Sequence, residues 1–104
     1  MSSRERATQT HARITREIVQ EKAVTLGRAG ERLEAALATL AALAVAHARA
    51  RDDAERAQLA AEYEHTWRLA DTARQTLVIQ REAVGLRHHR DVEAQFPRPA
   101  RRLT

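Results

Sequence analysis

Glu62-Tyr63-Glu64-His65 is the stretch of this chain whose residue types and spacing best suit chemistry. Residues three apart on a helix share a face, so the Glu62 carboxylate and the His65 imidazole could reach one cation. Glu31 and Glu34, also three apart, could add two carboxylates if the chain folds back far enough. The plainer reading is an acid and an imidazole flanking a helical seam. With a tip near residues 51–52, residues 62–65 fall opposite 38–41, which are Ala, Thr, Leu and Ala. That leaves Glu31 and Glu34 roughly one to two helical turns away. Other chemistries find little support. No two of the five histidines stand three or four residues apart, as a zinc site on one helix requires. There is no cysteine, the serines are Ser2 and Ser3, and no glycine-rich phosphate loop is present. Hydrolase and transferase chemistry have no candidate nucleophile with a base.

Glu62-x-x-His65 resembles the Glu-x-x-His motif of ferritin-like di-iron proteins. In outline the chain is similar to the encapsulated half-ferritins, short hairpins that complete a four-helix bundle by dimerising. The likeness covers four residues and a topology. It implies an iron site with ferroxidase-like chemistry at Glu62 and His65, with Glu31 or Glu34 as the acid from the first helix.

Nucleic acid is a second candidate ligand. Seventeen of the eighteen basic residues are Arg, the net charge is +4, and the excess lies at the two ends. Residues 19–37 can be laid on a helix-turn-helix template, with Gly27 at the turn and Arg28 and Arg32 facing DNA. At the other end, Arg98, Arg101 and Arg102 could meet phosphates or another anionic partner. Three aromatic residues in the whole chain argue against base stacking.

The elements that must position these residues are helices. Between Gly30 and Gly85 the chain runs fifty-four residues without Gly or Pro, and thirteen of residues 35–61 are Ala. Ala is the best helix former, and Gly and Pro are the strongest breakers. Ser2 with Glu5 has capping-box spacing, and Asp52 with Glu55 marks a second helix start. An apolar line runs Val19, Ala23, Leu26, Gly30, Leu33, Leu37, Leu40, Ala44, His47 in steps of four and three. Its phase passes through Gly27 and Gly30, which predicts one continuous or gently kinked arm over residues 3–50. A second line, Leu59, Tyr63, Thr66, Ala70, Ala73, Leu77, Gln80, Val84, Arg87, predicts a second arm over 53–94.

The expected fold is all-α: an elongated, coiled-coil-like antiparallel hairpin over residues 1–96, completing a four-helix bundle by dimerisation. A three-helix bundle with a turn at 27–30 is the alternative. Residues 97–104, with two prolines and three arginines, are expected to be a disordered basic tail. The most apolar window, Ala35 to Ala46, is too short to span a bilayer. No secretory signal is visible at the N-terminus, and a cytoplasmic location is expected.

A further line beside the second seam, Glu62, His65, Leu69, Thr72, Thr76, Ile79, Ala83, Leu86, makes the apolar surface wider than two helices need. The function expected is therefore non-catalytic assembly, as an adaptor, escort or structural subunit. It would bind a second copy or a partner helix through Leu33, Leu37, Leu40, Leu43, Leu59, Tyr63, Trp67, Leu69, Leu77, Ile79 and Val84. Nucleic-acid binding is the first alternative and a ferritin-like half-bundle the second.

Overall fold

The computed structural model describes residues 2–104; Met1 lies outside them. Helix α1 runs Ser3–Ala48 and helix α2 runs Asp53–Ala83. They pack antiparallel into a rod of 77 × 22 × 15 Å, an all-α hairpin. A short helix α3, Arg90–Gln95, follows.

The helix starts are set locally. The Ser2 hydroxyl accepts from the Glu5 amide at 3.1 Å, and Glu5 accepts from the Ser2 amide in return. Asp52 accepts from the Glu55 amide at 2.8 Å, and Glu55 accepts from the Arg51 amide at 2.9 Å. These two caps satisfy amides that the first turn leaves without partners. Gly27 and Gly30 sit inside α1, and the helix runs through both. A methyl group at either would meet nothing within 4 Å, so Gly30 serves no close helix approach.

The second arm stops earlier than its apolar line suggests. Gly85 takes a φ of 95°, the left-handed region that glycine tolerates. Its amide donates to the Glu82 carbonyl at 3.0 Å and the Leu86 amide to the Arg81 carbonyl at 2.9 Å. This pairing is a Schellman motif, which ends a helix by satisfying its last carbonyls. Residues 84–94 are thus not a continuation of the arm. The chain turns at 84–89, and α3 begins a return path.

The core is a single seam. Ala29, Leu33 and Leu40 of α1 are buried against Tyr63, Ala70 and Leu77 of α2, and Val92 and Phe96 close it from the C-terminal side. Leu33 and Leu40 are the largest fully buried side chains. Truncating Leu33 removes buried methyl groups and leaves a cavity. Leu33→Ala should lose about 3 kcal/mol in urea unfolding, within the range for buried leucines. Gly30→Ala should gain about 0.5–1 kcal/mol, because it restores helix propensity in open space.

Candidate functional site

The hairpin seam has two flanks, and the chain treats them differently. The first flank is covered by its own C-terminal strap, α3 with residues 96–104. The strap returns along α2 toward the hairpin tip, and polar bonds from α2 hold it. Arg74 donates to the Phe96 carbonyl at 2.6 Å, Trp67 Nε1 to the Pro99 carbonyl at 3.3 Å, and Tyr63 to the Ala100 carbonyl. The Arg101 guanidinium lies 4.6 Å over the Trp67 ring. Arg98 pairs with Asp71 and Arg101 with Glu64, while Arg81 makes two bonds to Asp91 at 2.8 and 2.9 Å. Residues 97–104 are therefore a packed strap, in contrast to the disordered tail expected. The prolines keep the segment extended, which frees its carbonyls to accept from side chains.

Arg74 is the centre of this arrangement. Its side chain is 4% exposed; Nη2 serves the Phe96 carbonyl, Nη1 lies 4.0 Å from Glu93, and Nη1 has no hydrogen-bond partner. Burial pulls its pKa down, and the charge of Arg98 adds to this, against Glu93 and Asp71. An arginine still keeps its proton at any physiological pH. Burial pushes the Tyr63 phenol up. Partial desolvation would raise the Asp91 carboxyl, but Arg81 and the amides of Asp91 and Val92 outweigh it and hold the group below its ordinary value. Between the strap and α1 lies an apolar groove of about 680 Å³, floored by Ala38, Ala41 and Ala44 and walled by Phe96, Pro97 and Leu103.

The second flank carries no cover. Leu69, Thr72, Ala73 and Thr76 of α2 face Ala29, Arg32, Ala35 and Ala36 of α1 across an open groove of about 390 Å³. Leu69 is 54% exposed and Ile79 66%. Beyond the last turn of α2, which lies beside Ile18, Lys22 and Leu26, α1 continues alone. It is longer than α2 by fifteen residues, roughly 22 Å at about 1.5 Å per residue. Ile14 is about half exposed there, and so are Ile18, Val19 and Val24 alongside the end of α2.

The residues named from sequence fall into three groups. Leu33, Leu40, Tyr63 and Leu77 are buried inside the seam, with Leu37, Leu43 and Trp67 packed against it and Leu59 half-buried. Within the chain the first seven form the core or pack against it. Leu69, Ile79 and Val84 remain exposed. Glu62 accepts from Gln58 on its own helix, while Glu34 lines the strap-side groove. Among the described residues, no three His, Cys, Asp or Glu side chains gather closely enough to hold a metal ion, so Glu31, Glu34, Glu62 and His65 are not brought together. The two-helix reading of Arg28 and Arg32 fails with the turn it needs, since residue 27 is helical. Arg98 and Arg101 are engaged by acids of α2, whereas Arg102 is exposed. Sequence reasoning missed Arg74 and the strap. The available signal was the pair Tyr63 and Trp67, whose polar tips need partners when their rings are buried.

No protein-family model, curated protein or solved structure matches the chain. Among the described residues, no helix is long and apolar enough to cross a membrane.

Removing the guanidinium orphans the Phe96 carbonyl and leaves a hole beneath the strap. Arg74→Ala should cost roughly 2–4 kcal/mol. The strap should loosen with it: Trp67 fluorescence should shift to the red, and trypsin should cut after Arg101 and Arg102 faster than in the parent protein.

Proposed function

We propose that the protein is a non-catalytic helical assembly module, and that its working surface is the uncovered flank of the hairpin. One observation carries this reading. The chain spends fifteen C-terminal residues covering one flank of its seam and leaves the other open, with Leu69 and Ile79 facing solvent. On α2 the line from Leu69 through Thr72, Thr76 and Ile79 to Ala83 bears no charge. An uncharged helix face about 20 Å long, beside an alanine-rich neighbour, is the complement of another helix's apolar face. Arg98 and Arg101 of the strap serve α2 acids, so an anionic ligand binding them would compete with existing ion pairs.

The test separates fold from assembly. Leu69→Glu with Ile79→Glu changes two exposed positions, so helix content and melting temperature should stay close to the parent. Each large apolar side chain that a partner covers contributes about 1.5–3 kcal/mol, so association through this flank should weaken by roughly a hundredfold or more. Association should be read as concentration-dependent mass and as affinity for any isolated helical partner. Unchanged association in the folded double variant would overturn the reading.

A further inference from the structure

We infer that the occupant of the open flank is a second copy of this chain, docked antiparallel so that the projecting part of α1 fills the other copy's groove. The inference rests on the reading of the open flank as an assembly surface. Its first support is that nothing in the chain can cover the projection. The strap runs from α3 toward the hairpin tip, away from residues 3–17. Thr8, Thr10, Ile14 and Thr15 are β-branched and weaken an isolated helix. A helix of about 12–15 residues is marginal in water without tertiary cover.

The second support is charge. Every acidic side chain of α2 and α3 has a partner, whether an arginine, a histidine, a glutamine or a cap amide. On α1 the pattern reverses. Among the described residues, Glu17, Glu21, Arg28 and Arg32 make no ion pair. These four lie on one side of α1, acids first and bases after. A two-fold axis near residues 24 and 25 sets Glu17 beside Arg32 and Glu21 beside Arg28 of the second copy, and the symmetry repeats both pairs. A parallel copy would set Glu21 against Glu21.

The third support is size and length. The register that pairs Glu17 with Arg32 also sets Ile14 of the projection over Ala35, a large side chain onto a small one. Ile14 then enters the groove that Ala35 forms with Leu69. Thr10 falls opposite Thr39, whose hydroxyl already donates to the Ala35 carbonyl at 3.1 Å. In this register Ser3 falls opposite Ala46, inside α1 of the other hairpin. The four charges fix the register, and the projection then stays within the length of the other hairpin.

Charge exchange and cysteine pairing test this on the full chain. The parent should sediment at twice its 11.7 kDa at micromolar concentration. Glu17→Arg with Glu21→Arg makes the stripe wholly basic, and Arg28→Glu with Arg32→Glu makes it wholly acidic. Each double variant alone should dimerise roughly tenfold more weakly or worse, and an equal mixture should recover a heterodimer. Because the chain has no natural cysteine, Ile14→Cys mixed with Ala35→Cys should form an interchain disulfide on mild oxidation, while neither variant should cross-link with itself. A monomeric parent overturns the inference, as does a doubled mass without the Ile14→Cys to Ala35→Cys bond. If the parent is monomeric yet another helical protein binds in a way that Leu69→Glu abolishes, the assembly reading survives and only this occupant is wrong. If a dimer forms and ignores Leu69→Glu with Ile79→Glu, both fall.

Discussion

Alanine at the α1–α2 seam is the constraint from which the other features follow. Ala29 and Ala70 are buried in it, and Ala36, Ala44 and Ala73 pack against it. Small side chains let two helices approach, but they remove little apolar area from water, and burial yields only about 25 cal/mol per Å². Two rods held by Leu33, Leu40 and Leu77 alone make a thin core. The chain widens it by bringing further residues to the seam's edge. Val92 and Phe96 are buried there and Leu103 packs against them, all from the last fifteen residues.

Covering one flank by a strap creates a polar problem that Arg74 resolves. An extended segment has no internal hydrogen bonds, so its carbonyls need donors wherever they leave water. Tyr63, Trp67 and Arg74 lie along one face of α2 and each donates to a strap carbonyl. Of the three, only Arg74 brings a charge beneath the strap. A buried charge is tolerated when it is hydrogen-bonded and balanced nearby. Here the balance is partial: Glu93 stands 4.0 Å away and is shared with Arg98, which itself pairs with Asp71. The strap is therefore latched by specific donors as much as by grease, and the latch is confined to one flank.

The hairpin was legible in the sequence because helices of this composition announce themselves locally. The Ser2 and Asp52 caps, the alanine run and the four-three rhythm from Leu26 to Ala44 all correspond to observed features. Beyond Leu26 toward the N-terminus the same rhythm lost its meaning: Val19 continues the line but is 60% exposed, because α2 has ended. That end was set by Gly85, one residue whose left-handed turn outweighed an apolar line continuing to Val84 and beyond. The strap left almost no trace, since carbonyl acceptors are common to every residue type. Arg74 was hidden for a related reason: a lone arginine on a helix reads as solvated until a tertiary acceptor is known. The candidate site was legible in part. Leu69 and Ile79 kept the exposure expected of a contact face, whereas Leu33, Leu40, Tyr63 and Leu77 are buried in the core and Leu37, Leu43 and Trp67 pack against it.

The distribution of charge then separates the two helices by task. On α2 and the strap, opposite charges meet within the chain, and the resulting pairs hold α3 and residues 98–101 in place. On α1, Glu17, Glu21, Arg28 and Arg32 are segregated by sign along one side of the helix. Random placement of surface charge needs no such order, and i,i+4 stabilisation of a lone helix would alternate signs every turn. Segregation instead gives the side a direction. A directed charge pattern contributes little to the isolated rod, because exposed pairs are weak and here they are absent. Its effect appears only when a second surface presents the reverse order, and the surface with that order is the same stripe turned end for end. The thin alanine seam leaves the hairpin with apolar surface to spare, and in the proposed dimer the segregated stripe would set the orientation in which that surface is covered.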